Sequence, residues 1–149
     1  MRLTIKCIML LVVCSAVVPG SGASAEERTP LRGVEIAKTL TGNLVSYSPA
    51  GWADAGIHEE FHEGGIWRGI YYSRGPVEFT GHWRVRNALL CVSPDKGTIV
   101  ALWFAGERCR TVGHDKKTGE LFLEHLNPRH GTEALPLSVK NLRTFAEVH

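Results

Sequence analysis

The chain has 149 residues, 44% of them hydrophobic and 21% charged, and a formal net charge of +2. This length and composition suit one globular domain with a single core. Two of the 17 basic residues lie in an N-terminal export pattern, and removing them leaves 15 basic and 15 acidic residues, a balance that argues against nucleic-acid or anionic-membrane binding.

Residues 1–25 have the pattern of an export signal. Arg2 and Lys6 precede an apolar run of about a dozen residues, Cys7 to Val18, which is too short to span a membrane. Ala23-Ser24-Ala25 fits the small-residue cleavage pattern, so we expect cleavage before Glu26 and a periplasmic or secreted protein. A retained anchor helix is the alternative, and it fits the clear cleavage site less well.

Two cysteines, Cys91 and Cys109, belong to the mature chain, because Cys7 and Cys14 lie in the signal. In an oxidising compartment two cysteines permit one intramolecular disulfide, which a loop-entropy estimate values at about 3 kcal/mol. A redox pair or a metal pair is less favoured. The spacing is not C-x-x-C, and no second Cys/His pair stands at zinc-finger spacing.

The mature chain, residues 26–149, is predicted to be one β-rich domain that opens with a loose leader and a short helix. Thr29-Pro30 is typical of a helix start, and Gly42-Asn43 is typical of a stop. Between them apolar residues recur at helical spacing, namely Leu31, Val34, Ala37 and Leu40.

Short segments separated by turn residues predict strands through the rest of the chain. The predicted strands are Leu44–Tyr47, Ile57–Glu63, Ile66–Tyr72, Val77–Phe79, Gly81–Val85, Leu89–Val92, Ile99–Phe104, Arg108–Val112, Glu120–Leu126 and Leu135–Val139. Gly64-Gly65 is expected to join two of them as a hairpin. Many short strands and one helix predict a mainly β protein, a small antiparallel barrel or sandwich.

The segment His58-Glu59-Glu60-Phe61-His62 matches the H-E-x-x-H motif of zinc peptidases. On a helix, residues four apart lie about 6 Å from each other, so both histidines reach one zinc while Glu59 activates its water. Residues available as a third ligand are Glu78, His82, His114 and His125.

On a strand the same two histidines are about 13 Å apart and cannot share a metal. Glycines at Gly56 and Gly64-Gly65 bracket only seven residues, which favours a strand. We therefore predict no metal and no cofactor, and keep a small zinc hydrolase as the alternative function.

Two further sets of side chains are candidates for binding. Trp67, Trp83 and Trp103 are candidates for lining a ligand cavity, with simple core filling as the alternative. Four arginines alternate on the faces opposite Val85 and Cys109, and if the disulfide aligns their strands they form either a cationic patch or an ordinary solvated face: Arg84, Arg86, Arg108 and Arg110.

Three short motifs carry a resemblance to a known group: Gly81-His-Trp-Arg-Val85, Leu90-Cys-Val92 and Glu107-Arg-Cys109. Together with a helix ending at Leu40-Thr-Gly42, they resemble small exported proteobacterial β-proteins of unknown function. The resemblance covers roughly Leu31 to Leu126. It implies a lipocalin-like or related small β fold and a Cys91–Cys109 bond, but no activity.

From these features we expect a non-enzymatic, exported binding module for a small apolar ligand or a protein partner. An envelope-stress or structural protein without a small ligand is a third possibility, which the sequence does not separate from the first.

Overall fold

The computed structural model describes residues 28–49, 56–72, 75–97, 106–127 and 131–142. The predicted signal, Trp103 and the apolar segment Ile99–Phe104 lie outside these ranges. Within them the chain forms eleven strands and one α-helix, so the prediction of a mainly β protein with one short N-terminal helix is confirmed.

The described strands run antiparallel to their neighbours throughout, and the bounds of all elements are as follows. The strands are β1 (Arg28–Pro30), β2 (Asn43–Tyr47), β3 (Ile57–Phe61), β4 (Ile66–Tyr72), β5 (Pro76–Arg86), β6 (Leu89–Pro94), β7 (Arg108–Arg110), β8 (Val112–Asp115), β9 (Leu121–Asn127), β10 (Gly131–Pro136) and β11 (Ser138–Asn141). The helix α1 spans Gly33–Leu40, and a single 3₁₀ turn covers Glu63–Gly65 between β3 and β4.

Hydrogen bonds divide the strands into two sheets. The larger sheet has seven strands in the order β11-β2-β3-β4-β5-β6-β7, and the smaller has four in the order β1-β8-β9-β10. The chain passes from the small sheet to the large one between β1 and β2, through α1. It changes sheet again at two corners, where Thr111 alone separates β7 from β8 and Leu137 alone separates β10 from β11. Among the described residues these ladders do not form one closed barrel.

The core lies on the inward face of the large sheet, under α1 and against the small sheet. Residues alternate between the two faces of each strand, so every second side chain points inward. Ile36 and Leu40 of α1 are fully buried, and the helix contacts β2, β5 and β6. Large side chains with less than 2% exposure fill this core, among them Trp67, Phe61, Leu90, Leu123, Val45 and Val112.

The helix begins later than predicted. Thr29 and Pro30 pair with β8 instead, and the Leu31 N–H donates to the carbonyl of Val112 at 2.8 Å. The backbone of Arg32 then serves as the N-cap, where its N–H donates to the Glu35 carboxylate at 2.7 Å. Pairing with the sheet outweighs the preference of proline for a first helical turn, which is a weak local effect.

Two predicted strands are each split, and two are merged. Arg108–Val112 and Leu135–Val139 break at Thr111 and Leu137, because the backbones at these corners bond to β9 of the small sheet. Val77–Phe79 and Gly81–Val85 instead form one strand, β5. Glycine is required at position 81 for this continuous strand to pair with β6, because any side chain there would collide with the backbone of Ser93 on β6.

The Cys91–Cys109 disulfide is confirmed. The two cysteines lie directly opposite each other on β6 and β7, with their Cα atoms 3.9 Å apart. Cys91 is 1% exposed, although it points to the outer face of the sheet.

The predicted grouping of the four arginines is wrong. Arg84 lies opposite Cys91 in the register, so it and Arg86 share the outer face with the disulfide. Arg110 lies opposite Leu90 and points with it into the interior. Cys91 and Cys109 occupy the same register position as Arg84, so all three point to the same face of the sheet. Side chains alternate along a strand, and the arginines on either side of Cys109 therefore point to the opposite face.

We expect the double variant Cys91→Ala/Cys109→Ala to lose about 3 kcal/mol of unfolding free energy, because the bond closes a loop of separation 18. Guanidinium titration of the oxidised protein, the reduced protein and the variant measures this. Reduced protein and variant should agree, and free thiols at Cys91 and Cys109 in protein folded without a reductant would contradict the pairing.

Candidate functional site

The histidine motif lies on a strand, as predicted. Ile57–Phe61 forms β3, where His58 and Glu60 point to one face and Glu59 points to the other. His62 follows the end of this strand. Strand geometry places the Cα atoms of His58 and His62 about 13 Å apart.

The two histidines of the motif lie beside two different clefts. His58 borders a cleft of about 480 Å³, and its Nδ1 lies 3.3 Å from the hydroxyl of Ser46. His62 borders a second cleft of about 500 Å³, and its Nε2 lies 2.8 Å from the carboxylate of Glu60. Each imidazole therefore has its own partner, and the motif does not converge on one point.

The third motif residue, Glu59, belongs to a buried network with Arg110 and Tyr47. Glu59 is 3% exposed. The Nη2 of Arg110 donates to its two carboxylate oxygens at 2.9 and 3.2 Å, and Nη1 donates to one of them at 3.2 Å. The Tyr47 hydroxyl donates to Glu59 at 3.1 Å and accepts from Arg110 at 2.9 Å.

This network spans the interior. Tyr47 and Glu59 come from the neighbouring strands β2 and β3, whereas Arg110 comes from β7, with three strands between β3 and β7 in the sheet. The contact therefore requires the sheet to roll until β7 faces β3. Glu59 is directed inward because it alternates with Ile57 and Phe61, both of them buried.

Burial changes the electrostatics of the network. Burial alone would lower the pKa of Arg110, but the Glu59 carboxylate and the Tyr47 hydroxyl together raise it above its usual value. Burial and the negative charge of Glu59 raise the pKa of the Tyr47 hydroxyl well above 10. Arg110 therefore stays charged and Tyr47 stays neutral over the physiological range.

The network is a fixed, charge-balanced group, not a free acid or base. Both oxygens of Glu59 accept hydrogen bonds, so the carboxylate is not placed to activate a water. Desolvating two such charges is costly, and good geometry offsets the cost only when the remaining polar atoms are also satisfied.

Within the described part of the chain, two buried side-chain N–H groups lack an acceptor. They are the indole Nε1 of Trp67 and the Nε of Arg110. Trp67 is 1% exposed, and its ring lies 4.5 Å from that of Phe79. Buried donors without partners are rare, and each one calls for a water, a ligand or another explanation.

The other tryptophans predicted to line a ligand cavity differ from Trp67. Trp83 is only partly buried and packs edge-on against Phe61, and its Nε1 donates to the carbonyl of His62 at 2.9 Å. Trp103 lies outside the described residues. Of the two described tryptophans, Trp67 alone has a buried donor without an acceptor.

A second charged cluster lies beside the disulfide on the outer face. Glu107 accepts from Arg84 at 2.6 Å and lies 3.1 Å from Arg86, whose Nη2 is also 3.8 Å from the sulfur of Cys109. The hydrogen bond from Arg84 lowers the pKa of Glu107.

Among the described residues, Cys91, Glu107 and Cys109 form the one group of three metal-ligand types within 4.8 Å of each other. Its two sulfurs are bonded to each other and its carboxylate is held by two arginines. This group is therefore not arranged to hold a cation.

Comparisons with protein-family models, with curated proteins and with solved structures find no match. A search of the described residues for a helix long and apolar enough to cross a membrane also finds none.

The sequence-based prediction missed the Tyr47–Glu59–Arg110 network. One signal was present: Glu59 alternates with Ile57 and Phe61, so it occupies an inward position, and an inward charge needs a partner. The identity of that partner was not readable, because Arg110 is 51 residues away in the chain.

The buried pair yields a prediction for stability. Glu59→Leu or Arg110→Met alone should cost about 3–5 kcal/mol of unfolding free energy, because each leaves one buried charge unpaired. The double variant should be close to wild type or more stable by about 1–4 kcal/mol. Urea titrations of the four proteins measure the coupling.

The exposed pair Arg84–Glu107 supplies the control for this cycle. The corresponding variants Arg84→Met and Glu107→Leu should show far weaker coupling, because solvent screens charges at the surface. Additive effects of Glu59→Leu and Arg110→Met would contradict a buried, mutually dependent pair.

Tyr47 yields a prediction for alkaline pH. Its folded-state pKa lies above the unfolded value of about 10, so above that pH the unfolded chain loses the phenolic proton first. Unfolding free energy should then fall by about 1.4 kcal/mol per pH unit for this group, a decline that Tyr47→Phe lacks. The difference in unfolding free energy between the two proteins, measured from about pH 9 to about pH 11, removes the contribution of the other titrating groups. Parallel pH profiles of the two proteins would refute a raised pKa for Tyr47.

Proposed function

We propose that this protein is an exported, non-enzymatic binding module that holds a small, neutral, largely apolar ligand between its two sheets. The proposal rests on one observation above all, the buried indole N–H of Trp67 that has no acceptor within the described part of the chain. The signal pattern of residues 1–25 and the disulfide support a periplasmic or secreted setting.

An unpaired buried donor is expensive. Leaving such a group without an acceptor costs about 1–3 kcal/mol, and a ligand oxygen placed near Trp67 Nε1 would recover that cost. The Nε of Arg110 is a second donor of the same kind. A carbonyl, ether or hydroxyl oxygen on an otherwise apolar molecule matches this requirement.

The surroundings favour a ligand without net charge. The charges of Glu59 and Arg110 neutralise each other, and Tyr47 remains protonated. A charged ligand would therefore lose its hydration and find no uncompensated counter-charge in this network. The rings of Phe61, which lies opposite Trp67 in the register, and of Phe79 supply apolar surface close by.

The architecture that we infer for this function is a rolled, calycin-like barrel in which the two sheets act as one. The two corners at Thr111 and Leu137, where single residues link the sheets, support this view. Small barrels of this kind commonly enclose one ligand. The resemblance to small exported β-proteins agrees with such a fold and adds no activity.

Matched tryptophan variants test the proposal. Binding of a fluorescent, neutral, apolar probe to the mature chain is measured, followed by displacement with a medium-chain methyl ketone. Trp67→Phe removes the unpaired N–H and should weaken ketone binding on the order of tenfold, the value of one hydrogen bond.

Trp83→Phe is the control, because the N–H it removes already has a protein acceptor. It should cost about 1 kcal/mol of stability and leave ketone affinity unchanged. The carboxylate of equal chain length should bind more weakly than the ketone. Failure of the probe and of both competitors to bind, or equal weakening by the two variants, would overturn the proposal.

A further inference from the structure

Strand β7 is held to its sheet by a short ladder. It has three residues and pairs with β6 at three positions, Leu90 with Arg110, Cys91 with Cys109, and Val92 with Arg108. The disulfide occupies the middle of these pairs. Within the described residues β7 is also the edge strand of the large sheet.

The two cysteines of this bond differ in exposure. Cys91 is 1% exposed, whereas Cys109 is half-buried on the edge strand. An incoming thiol must reach the sulfur that it attacks, so the greater exposure of the Cys109 residue favours attack there.

The charges around the bond favour the same reaction. Arg84 and Arg86 carry two positive charges, and Glu107 carries the one negative charge bonded to them. Arg86 Nη2 lies 3.8 Å from the Cys109 sulfur, and Arg84 is the cross-strand neighbour of Cys91. A net positive surrounding attracts a thiolate and stabilises the thiolate that leaves.

We propose that Cys109 is a thiol–disulfide exchange site, at which an external thiolate forms a mixed disulfide and releases strand β7. The incoming sulfur donates its electron pair to Cys109 Sγ and forms a new S–S bond. The Cys91–Cys109 bond breaks, and its electron pair leaves on Cys91 Sγ, which solvent then protonates.

A dithiol reductant completes the reaction. The second thiolate of the reductant attacks the reductant's own sulfur in the mixed disulfide. The bond to Cys109 breaks, and Cys109 departs as a thiolate. The reductant is oxidised by two electrons to a disulfide, and the protein is reduced to two thiols. The partner is therefore defined by its chemistry, as a molecule or protein domain with two adjacent thiols.

The exchange has a consequence in the interior, because Arg110 follows Cys109 directly in the chain. Cys109 faces outward to the bond and Arg110 faces inward to Glu59. Release of β7 from β6 loosens the backbone that carries the guanidinium. The bond on the outer face thus controls the position of the cation inside, a redox-controlled latch on the buried pair.

The first experiment maps the site of attack on the folded, oxidised protein. Glutathione at neutral pH is followed by acid quenching, alkylation of free thiols and peptide mass analysis. The glutathione adduct should appear on Cys109 and the alkyl group on Cys91. An adduct on Cys91, or equal amounts on both residues, would overturn the proposal.

Charge variants provide an independent check on the same reaction. Arg86→Gln should slow the exchange severalfold, because it removes a positive charge that attracts the incoming thiolate and stabilises the departing Cys91 thiolate, and Glu107→Gln should accelerate it. Arg68→Gln removes a cation from the exposed face of β4, two strands away from β6, and should leave the rate unchanged. Equal slowing by Arg86→Gln and Arg68→Gln would contradict a local role for Arg86.

Amide hydrogen exchange tests the release of β7. On reduction, the amides of β6 and β7 should lose protection, while β9 and β10 keep theirs. Unchanged protection of β7, or loss of protection across the whole chain, would overturn the latch. The mapping experiment stands apart from this outcome, since it uses the folded, oxidised protein.

Discussion

The structure depends on the buried ion pair between Glu59 and Arg110. Glu59 and Arg110 place opposite charges in an otherwise apolar core, and neither is tolerable there without the other. Their contact is possible only if β7 lies across the interior from β3. The roll of the large sheet, the inward direction of Tyr47 and the transfer of the chain to the small sheet at Thr111 are all consistent with this requirement.

Strand β7 is secured on both faces by consecutive residues. Alternation along a strand sends Cys109 outward to its disulfide and Arg110 inward to its carboxylate. A strand of only three residues has few ladder hydrogen bonds, so these two side chains do much to fix the position and register of β7. The covalent bond and the ion pair therefore hold the same strand, and a change in either one alters the other.

Several features were predictable from local patterns. Alternation and turn residues located β2, β3, β4 and β6 closely, and the same alternation identified the histidine motif as a strand. Other predictions failed where a long-range contact prevailed. Thr29-Pro30 joined β8 in place of starting the helix, and Arg110 turned inward because Cys109 pairs with Cys91 at one register position. Neither register is encoded within a short window of sequence.

By itself the sequence determined the strand-rich class and the presence of a short N-terminal helix, because alternation and turn chemistry are local properties. It predicted the Cys91–Cys109 bond only once the two cysteines of the expected signal were set aside. Only the tertiary structure decided that Glu59 meets Arg110 and Tyr47, that the two histidines of one motif border separate clefts, and that Trp67 keeps a buried N–H without an acceptor in the described part of the chain. Such facts depend on which strands face each other across the core, and that is set by the curvature and register of the whole sheet.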